Sequence, residues 1–127
     1  MTRPPDIPDA VSRFVLTSIP SVPHLETLLL QWREGGDWSA ERLASRLFIG
    51  RAHAHSLLED LCRAELLECD GEPLVFRCRR EPDGLLALIG ELDRIYSRQL
   101  KAVTGLIHSN VDRKAARFAQ AFSWKKE

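Results

Sequence analysis

One arginine stands where a predicted helix begins, and its side chain has the most informative chemistry in the chain. The spacing of apolar residues predicts a helix from about Arg51 to Ala64. The polar residues that its first turns expose are Arg51, His53, His55 and Ser56. The planar guanidinium of arginine donates two parallel hydrogen bonds, which suits a phosphate or the edge of guanine. The alternative is that Arg51 is a solvated surface charge, because Glu59 and Asp60 lie on the same helix and a polyanion would repel them.

The histidines and cysteines do not have the spacing of a metal or disulfide site. His53 and His55 are two residues apart, so on a helix their side chains diverge by about 200°, which disfavours one metal site shared with Cys62. The chain has 3 cysteines and no C-x-x-C pair, so neither a disulfide framework nor a zinc ribbon is favoured. A redox pair of Cys69 with Cys78 is a minor hypothesis, because a turn at residues 70–73 would place Cys69 opposite Leu74.

Catalytic and cofactor motifs are missing from the sequence. It contains no G-x-S-x-G, no P-loop, no glycine-rich dinucleotide fingerprint and no H-E-x-x-H. Adjacent carboxylates such as Glu59 and Asp60 are explained by surface charge. We therefore expect a protein that is not an enzyme and uses no cofactor or metal.

Helix start and stop signals predict the elements that place Arg51 at the beginning of its helix. Asp9 is placed to cap a first helix that Pro20 stops, and Ser21 to cap a second that ends at Gly35-Gly36. Trp38 then lies in a short extended connection, and Ser39 is the expected N-cap of a helix through Leu47. Phe48-Ile49-Gly50 makes the turn into the helix that carries Arg51.

A hairpin and further helices are predicted after this helix. Residues 66–69 and 74–78 read as two short strands around a turn of Asp70-Gly71-Glu72-Pro73. A broad apolar stripe predicts one long helix from Pro82 to about Ser109, with close packing or a bend at Gly90 and Gly105. Residues 112–122 predict a short amphipathic helix inside a locally basic tail.

Length and composition are those of one compact domain with short tails. The chain has 127 residues, 44% of them hydrophobic, and 18 basic residues balance 18 acidic ones. The zero net charge gives no global attraction to nucleic acid, so DNA affinity would need a local excess of positive charge. No apolar run approaches the roughly 18 residues of a membrane span, and the first residues lack the apolar stretch of a signal peptide, so we expect a cytoplasmic protein.

The order helix, short strand, helix, turn, helix and hairpin over residues 21–80 resembles the winged helix-turn-helix family of bacterial transcription regulators. The residues that carry the resemblance are Trp38, Ser39, Leu43, Ala44, Leu47, Ile49, Leu58, Leu61, Leu66, Leu67, Phe76 and Arg77. Two positions depart from the family, because Phe48 and Glu65 stand where glycine is common. Either residue adds strain if its φ is positive.

The resemblance implies a mainly α fold with a small β-hairpin: a winged helix-turn-helix with an N-terminal helix and a long C-terminal helix. The expected organisation is a lead-in and helix at 1–20, the winged-helix domain at 21–80, a long helix at 81–110 and a basic tail at 111–127. Arg51–Arg63 resembles the recognition helix and residues 69–78 the wing. The DNA-binding residues that this implies are Arg51, His53, His55, Ser56, Arg77, Arg79 and Arg80.

Two functions remain open at the level of sequence. The first is a DNA-binding transcription regulator that forms a homodimer through the 82–109 helix, so that two recognition helices meet a palindromic site. The second is a winged-helix module that binds another protein and no DNA, indicated by the zero net charge and the acids on the recognition helix. Phe118, Phe122 and Trp124 favour a docking role for the tail, with DNA, anionic lipid and an acidic protein as alternative partners. The sequence names no operator, effector or pathway and indicates no ligand pocket.

Overall fold

The computed structural model describes residues 7–80 and 84–109. Helices and strands with both ends inside these ranges are α1 (Asp9–Ser18), α2 (Val22–Glu34), α3 (Ala40–Leu47), α4 (Arg51–Arg63), β1 (Leu67–Asp70), β2 (Val75–Cys78) and α5 (Leu85–Arg98). A further helix, α6, is described over residues 100–109. The basic tail at 111–127, with its predicted amphipathic helix, lies outside the described residues.

Serine side chains cap α2 and α3 as predicted. The Ser21 hydroxyl accepts the backbone N–H of His24, and the Ser39 hydroxyl accepts that of Arg42. The predicted end of α2 is also confirmed, because Gly35 follows its last residue with a φ of 67°. Asp9 is not a cap: Pro8 occupies the cap position of α1, and Asp9 is its first helical residue.

The hairpin has a different register from the predicted one. Cys69 pairs with Phe76 and Asp70 with Val75, so Cys69 does not face Leu74. Both strands are offset because Asp70 belongs to β1 and Leu74 to the turn, which covers residues 71–74. Cys78 pairs with Leu67 at the far end of the hairpin, which keeps the two strand cysteines in different pairs.

A third extended segment joins this hairpin at Trp38. The backbones of Trp38 and Phe76 exchange two N–H to carbonyl hydrogen bonds of 2.8 Å each, an isolated antiparallel bridge beside β2. The Trp38 indole N–H also donates to the Gly35 carbonyl at 3.1 Å. The connection between α2 and α3 is therefore extended at Trp38, as the sequence predicted, and this bridge bonds it to the hairpin.

Phe48 and Glu65, which stand where glycine is common in the family, both have a left-handed backbone conformation. Phe48 ends α3 with a φ of 56°, and Glu65 follows α4 with a φ of 63°. Both side chains point outward, and Phe48 is 94% exposed. Each site therefore carries the strain that the sequence predicted for a positive φ.

The core lies around α4, which packs against α2, α3 and β1. Its buried residues Ala54, Leu57, Leu58 and Leu61 are those that the apolar spacing predicted. Trp38 and Phe76 are among the largest buried side chains and close the core beneath the hairpin. Burying one leucine side chain stabilises the folded state by about 1.5–3 kcal/mol. Because these residues keep one face of α4 in the core, the opposite face is held toward solvent.

The predicted long C-terminal helix is interrupted at Gln99, whose φ of −129° and ψ of 53° are not helical. The apolar stripe did not reveal the interruption because buried residues follow at helical spacing on both sides, Tyr96 before it and Val103 after it. Leu100, which the uninterrupted stripe would bury, is 54% exposed. Close packing at Gly90 is confirmed: a Cβ there would lie 2.6 Å from Cζ2 of Trp32 on α2.

These elements form a mainly α protein with a small hairpin, a winged helix-turn-helix with helices before and after it. Helices α3 and α4 are the helix-turn-helix, and β1 and β2 are the wing. Among the described residues, no helix is long and apolar enough to cross a membrane.

Candidate nucleic-acid interface

The first turns of α4 form the exposed surface of the helix-turn-helix. Arg51, His53 and Ser56 are exposed, whereas Ala54 and Leu57 on the other side of the same turns are buried. Gly50 precedes the helix and supplies no side-chain cap. The first backbone N–H groups of α4 have no partner within the helix and carry the positive end of its dipole. This end of α4 is suited to an anion.

Arg51 is held by a carboxylate from the neighbouring helix. Its Nε donates to Oε1 of Glu41 on α3. The Arg51 hydrogen bond lowers the pKa of Glu41 below its usual value, so this carboxylate stays ionised. Because the side chains are 69% and 62% exposed, water screens the pair and its contribution to stability is small. Arg51 can leave Glu41 for a phosphate at little cost.

His55 lies deeper than Arg51 and contacts the wing. Its ring meets the edge of Phe76 at a centroid distance of 6.1 Å and an angle of 79°. Its Nε2 lies 3.4 Å from Oε2 of Glu59, one turn along α4. Arg51 and His55 both line a cavity of about 400 Å³ beside the hairpin turn, together with Leu74. The structure therefore brings these two predicted residues together.

Arg77 points away from that cavity and is surrounded by acids. Its guanidinium lies 2.9 Å from Asp37, 3.1 Å from Asp70 and 3.7 Å from Glu68. The hydrogen bond to Asp37 is the main reason why the pKa of Arg77 is raised and that of Asp37 is lowered. Asp37 lies in the connection between α2 and α3, so this arginine ties the wing to the helical domain.

Arg79 and Arg80 follow β2. Arg79 is half-buried, with its guanidinium 3.8 Å from Glu65 and its backbone N–H bonded to the Leu66 carbonyl at 3.1 Å. Arg80 is exposed, and no described carboxylate forms an ion pair with it. Arg77 and Arg80 line a second cavity, separate from the one beside Arg51. The structure thus places Arg51 and His55 at one cavity and Arg77 and Arg80 at another.

A partly buried polar network between α2 and α4 was not predicted from the sequence. Nδ1 of His24 lies 2.5 Å from the Ser21 hydroxyl, and Nε2 lies 2.7 Å from a carboxylate oxygen of Asp60. These are the group types of a hydrolytic triad, but the Ser21 oxygen already caps α2. A structural role explains every contact in the network, because it fixes the carboxyl half of α4 against α2. Asp60 is 36 residues from His24, so no local pattern reveals the pair.

A second group that the sequence did not reveal lies on Trp38. The guanidinium of Arg42 stacks 3.8 Å from the ring centroid, and Arg46 lies 5.9 Å away. Both arginines also pair with Glu34 at the end of α2. They fasten α3 to α2, and the single carboxylate of Glu34 offsets half of their positive charge.

The cysteines are free thiols in the part of the chain that the structure describes. Cys69 is exposed, whereas burial raises the pKa of Cys62 to about 12 and that of Cys78 to about 11. Both of these thiols are therefore protonated at neutral pH. Within residues 7–80 and 84–109, no three His, Cys, Asp or Glu side chains form a group that could hold a metal ion.

The sequence matches no protein-family model and no curated protein. A solved structure, described as that of a MarR family protein from Bacillus stearothermophilus, aligns over 88% of this chain and 82% of its own length. The TM-score is 0.47 and the sequence identity 17%. The winged helix-turn-helix assignment rests on the elements and contacts described above.

Proposed function

We propose that this chain is a DNA-binding transcription regulator whose recognition helix is α4. The observation that carries the proposal is the exposure of the first turns of α4, where an uncapped helix end presents Arg51, His53 and Ser56 to solvent. In a winged helix-turn-helix, this end enters the major groove. Backbone N–H groups and Ser56 would meet phosphate, and Arg51 would reach a phosphate or guanine once it leaves Glu41.

The wing contributes in two ways in this proposal. Arg79 and Arg80 would contact flanking phosphates or the minor groove, because Arg80 has no described acidic partner and the Arg79 pair is long at 3.8 Å. The prediction that Arg77 contacts DNA stays a prediction, and its three carboxylate neighbours support a role in holding the wing in place. His55 would act at the junction of α4 and the wing.

Dimerisation is the second part of the proposal. Two copies related by a two-fold axis would present two recognition helices to a palindromic site. The segment from 82 to 109 is the proposed contact, since it carries the exposed apolar Leu100 beyond the break at Gln99.

The test is a DNA-binding measurement on the full chain. A duplex is selected from a random pool, and its affinity is measured by fluorescence anisotropy across a range of salt concentrations. Binding should weaken steeply with salt, because phosphate contacts release counterions. Arg51→Ala should lower the affinity about 10-fold, a loss of about 1.4 kcal/mol. Arg13→Ala on α1 removes the same charge from another exposed position and should leave the affinity unchanged.

Two results would contradict the proposal: binding that is indifferent to salt, and binding that survives Arg51→Ala combined with Arg77→Ala. An empty selection from the random pool would count equally against it.

The second candidate function is a protein-interaction module that binds no DNA. It is favoured by the pairing of arginine with acidic residues throughout the winged helix. The arginines concerned are Arg42, Arg46, Arg51, Arg63, Arg77 and Arg79. A surface whose cations are already neutralised attracts a polyanion weakly.

Glu41→Gln separates the two functions. This change releases Arg51 from its ion pair without altering the shape of α3, so a DNA-binding protein should bind its duplex more tightly. For a protein-interaction module, DNA binding should stay absent, and a pull-down from native lysate should recover a discrete partner. The protein partner predicted at the tail and the cytoplasmic location remain proposals.

A further inference from the structure

Two cysteines meet at the junction of α4 and β1. Cys62 lies on the last turn of α4, and Cys69 is the third residue of β1. The backbone N–H groups of Glu65 and Leu66 donate to the carbonyls of Cys62 and Leu61 at 2.9 and 3.0 Å. These bonds fold the connection back on the end of the helix, and α4 packs against the strand that follows. The strand therefore starts beside the turn of α4 that carries Cys62.

Strand alternation turns the side chain of Cys69 toward α4. Side chains two residues apart on a strand share a face, and so do residues directly opposite each other on paired strands. Cys69 shares its face with Leu67 on β1 and with Phe76 opposite it on β2, and both of these side chains are buried. The pKa of Cys62 is raised first by burial and then by the thiol of Cys69, which acts on it through charge and hydrogen bonding. The two thiols are neighbours.

The three cysteines differ in what can reach them. Cys69 is exposed, whereas Cys62 is half-buried and stays protonated at neutral pH. A reagent in solution therefore meets Cys69 first. Cys78 pairs with Leu67 at the other end of the hairpin, and burial alone raises the pKa of its thiol. The structure thus gives Cys69 a partner in Cys62, where the sequence had suggested Cys78.

We propose that Cys62 and Cys69 form a reversible disulfide by exchange with a small disulfide such as oxidised glutathione. The Cys69 sulfur attacks one sulfur of glutathione disulfide, whose S–S bond breaks, and the first glutathione leaves with the Cys69 proton. The Cys62 sulfur then attacks the Cys69 sulfur, and the second glutathione leaves with the Cys62 proton. Two protein thiols are oxidised to one disulfide, and one glutathione disulfide is reduced to two thiols.

The bond ties the end of α4 to the wing. A disulfide holds its sulfurs about 2.05 Å apart, and thiols that already face each other need the smallest movement to reach that distance. The reverse exchange in a reducing buffer restores both thiols. The site lies at the opposite end of α4 from Arg51, and the proposal does not depend on DNA binding.

The test is equilibration of the full chain in glutathione buffers of different oxidised-to-reduced ratios. Free thiols are then blocked with N-ethylmaleimide, and the chain is digested with trypsin. Cleavage after Arg63 and Arg77 leaves each cysteine in its own peptide, so mass spectrometry identifies any linked pair. The Cys62–Cys69 pair should exceed each of the other two pairings about 10-fold in the folded chain, because only these thiols face each other. In urea, all three pairings should appear.

Three variants assign the two steps, with circular dichroism as the check that each is folded. Cys62→Ser should stop the reaction at the first step, so that Cys69 retains glutathione. Cys62→Ala serves the same purpose if the serine variant does not fold. Cys69→Ser should leave Cys62 without glutathione, because the half-buried thiol is not reached first. Cys78→Ser is the matched control and should keep the same fraction of linked peptide at every buffer ratio.

Three results would overturn the proposal. The first is glutathione retained on Cys69, with no linked peptide, in the most oxidising buffer, which would show that the two sulfurs do not meet. The second is a linked Cys69–Cys78 pair as the main product. The third is the same mixture of pairings in the folded chain as in urea, which would show that the fold selects no pair.

Discussion

At the scale of single residues, Phe48 combines two unfavourable properties. Its backbone is left-handed, with a φ of 56°, and its aromatic side chain is 94% exposed. The left-handed conformation costs a residue other than glycine roughly 1–2 kcal/mol. Because the side chain is exposed, its burial contributes almost no free energy to offset this cost. The turn between α3 and α4 is therefore less stable than it would be with glycine.

Phe48→Gly should therefore raise the free energy of unfolding by about 1 kcal/mol or less, since the greater freedom of glycine in the unfolded chain offsets part of the gain. Urea denaturation measures the effect. Ser45→Gly, at an exposed position inside α3, is the matched control and should lower the free energy by about 0.5 kcal/mol. A loss of stability in Phe48→Gly equal to that of the control would show that the backbone at this turn is not strained.

Residue types and spacing were sufficient to predict the serine caps of α2 and α3, the strained positions and the exposure of Arg51, but not the cap of α1, where Pro8 stands in place of the predicted Asp9. Ser21 and Ser39 were identified because a capping hydroxyl acts on a backbone N–H three residues away. The pairing of Arg77 with Asp37 was not predictable, because Asp37 is 40 residues distant and meets the wing only through the tertiary fold. The side-chain amide of Gln31 is buried without a hydrogen-bond partner among the described residues. That burial also depends on tertiary packing, which no local sequence pattern reports.

At the scale of elements, the contact of α2 with α5 depends on one glycine. A Cβ at Gly90 would lie 2.6 Å from the Trp32 ring, which is itself fixed by its bond to the Leu86 carbonyl. The two helices are also joined by the ion pair of Arg33 with Asp93. The ring has little freedom to move aside.

Gly90→Ala should lower the free energy of unfolding by about 1–3 kcal/mol, because an added methyl group in a packed contact forces the helices apart. Gly105→Ala is the matched control in α6, where a Cβ meets nothing within 4 Å. It should stabilise the chain by about 0.5–1 kcal/mol through helix propensity. Chemical denaturation measures the free energy of unfolding of both variants. Equal changes in the two variants would mean that the contact with Trp32 leaves room for a methyl group at Gly90.

The wing gives a second prediction at this scale. Arg77→Gln would leave Asp37, Glu68 and Asp70 close together without their shared cation, so they should repel one another. The amides of Trp38 and Phe76, which bridge the wing to the α2–α3 connection, should then exchange with deuterium faster. Arg79→Gln removes one long ion pair and should leave exchange at the bridge unaltered. If exchange is unaltered in both variants, Arg77 does not hold the wing against the α2–α3 connection.

The break at Gln99 and the hairpin register mark the limit of periodicity as a predictor of elements. An apolar stripe that continues after one non-helical residue looks uninterrupted in the sequence, as it does from Tyr96 to Val103. The hairpin turn was placed one residue early because Asp70 is typical of turns, whereas in the structure it pairs with Val75. The pairing of Asp70 is a contact between strands, which the turn preference of a single residue does not report.

At the scale of the whole molecule, the zero net charge comes from equal numbers of basic and acidic residues, and many of the described ones pair locally. Ion pairs connect α2 with α3, α2 with α5, and the wing with the segment before α3. A molecule of this kind approaches DNA without long-range attraction. Short-range contacts at the start of α4 would then determine the affinity.

The proposed homodimer is tested at this scale. Leu100 lies beside Leu47 and Tyr96 at a surface cavity of about 350 Å³ and is 54% exposed. Sedimentation should give the mass of two chains for the wild type and of one chain for Leu100→Glu, because the dimer would bury a charge. Leu74→Glu, the same change at an exposed leucine of the hairpin turn and outside the proposed contact, should remain a dimer. A wild-type chain that sediments as one copy at every concentration would exclude the dimer.

The bridge between Trp38 and Phe76 also bears on solubility. A two-stranded hairpin has two open edges, and each can recruit a strand from another molecule. Trp38 covers part of the β2 edge, and the remaining edge strand, β1, is four residues long and carries Glu68 and Asp70. Short length and charge both discourage strand addition. This wing is therefore protected against edge-to-edge aggregation, which lets the chain keep a small sheet at its surface.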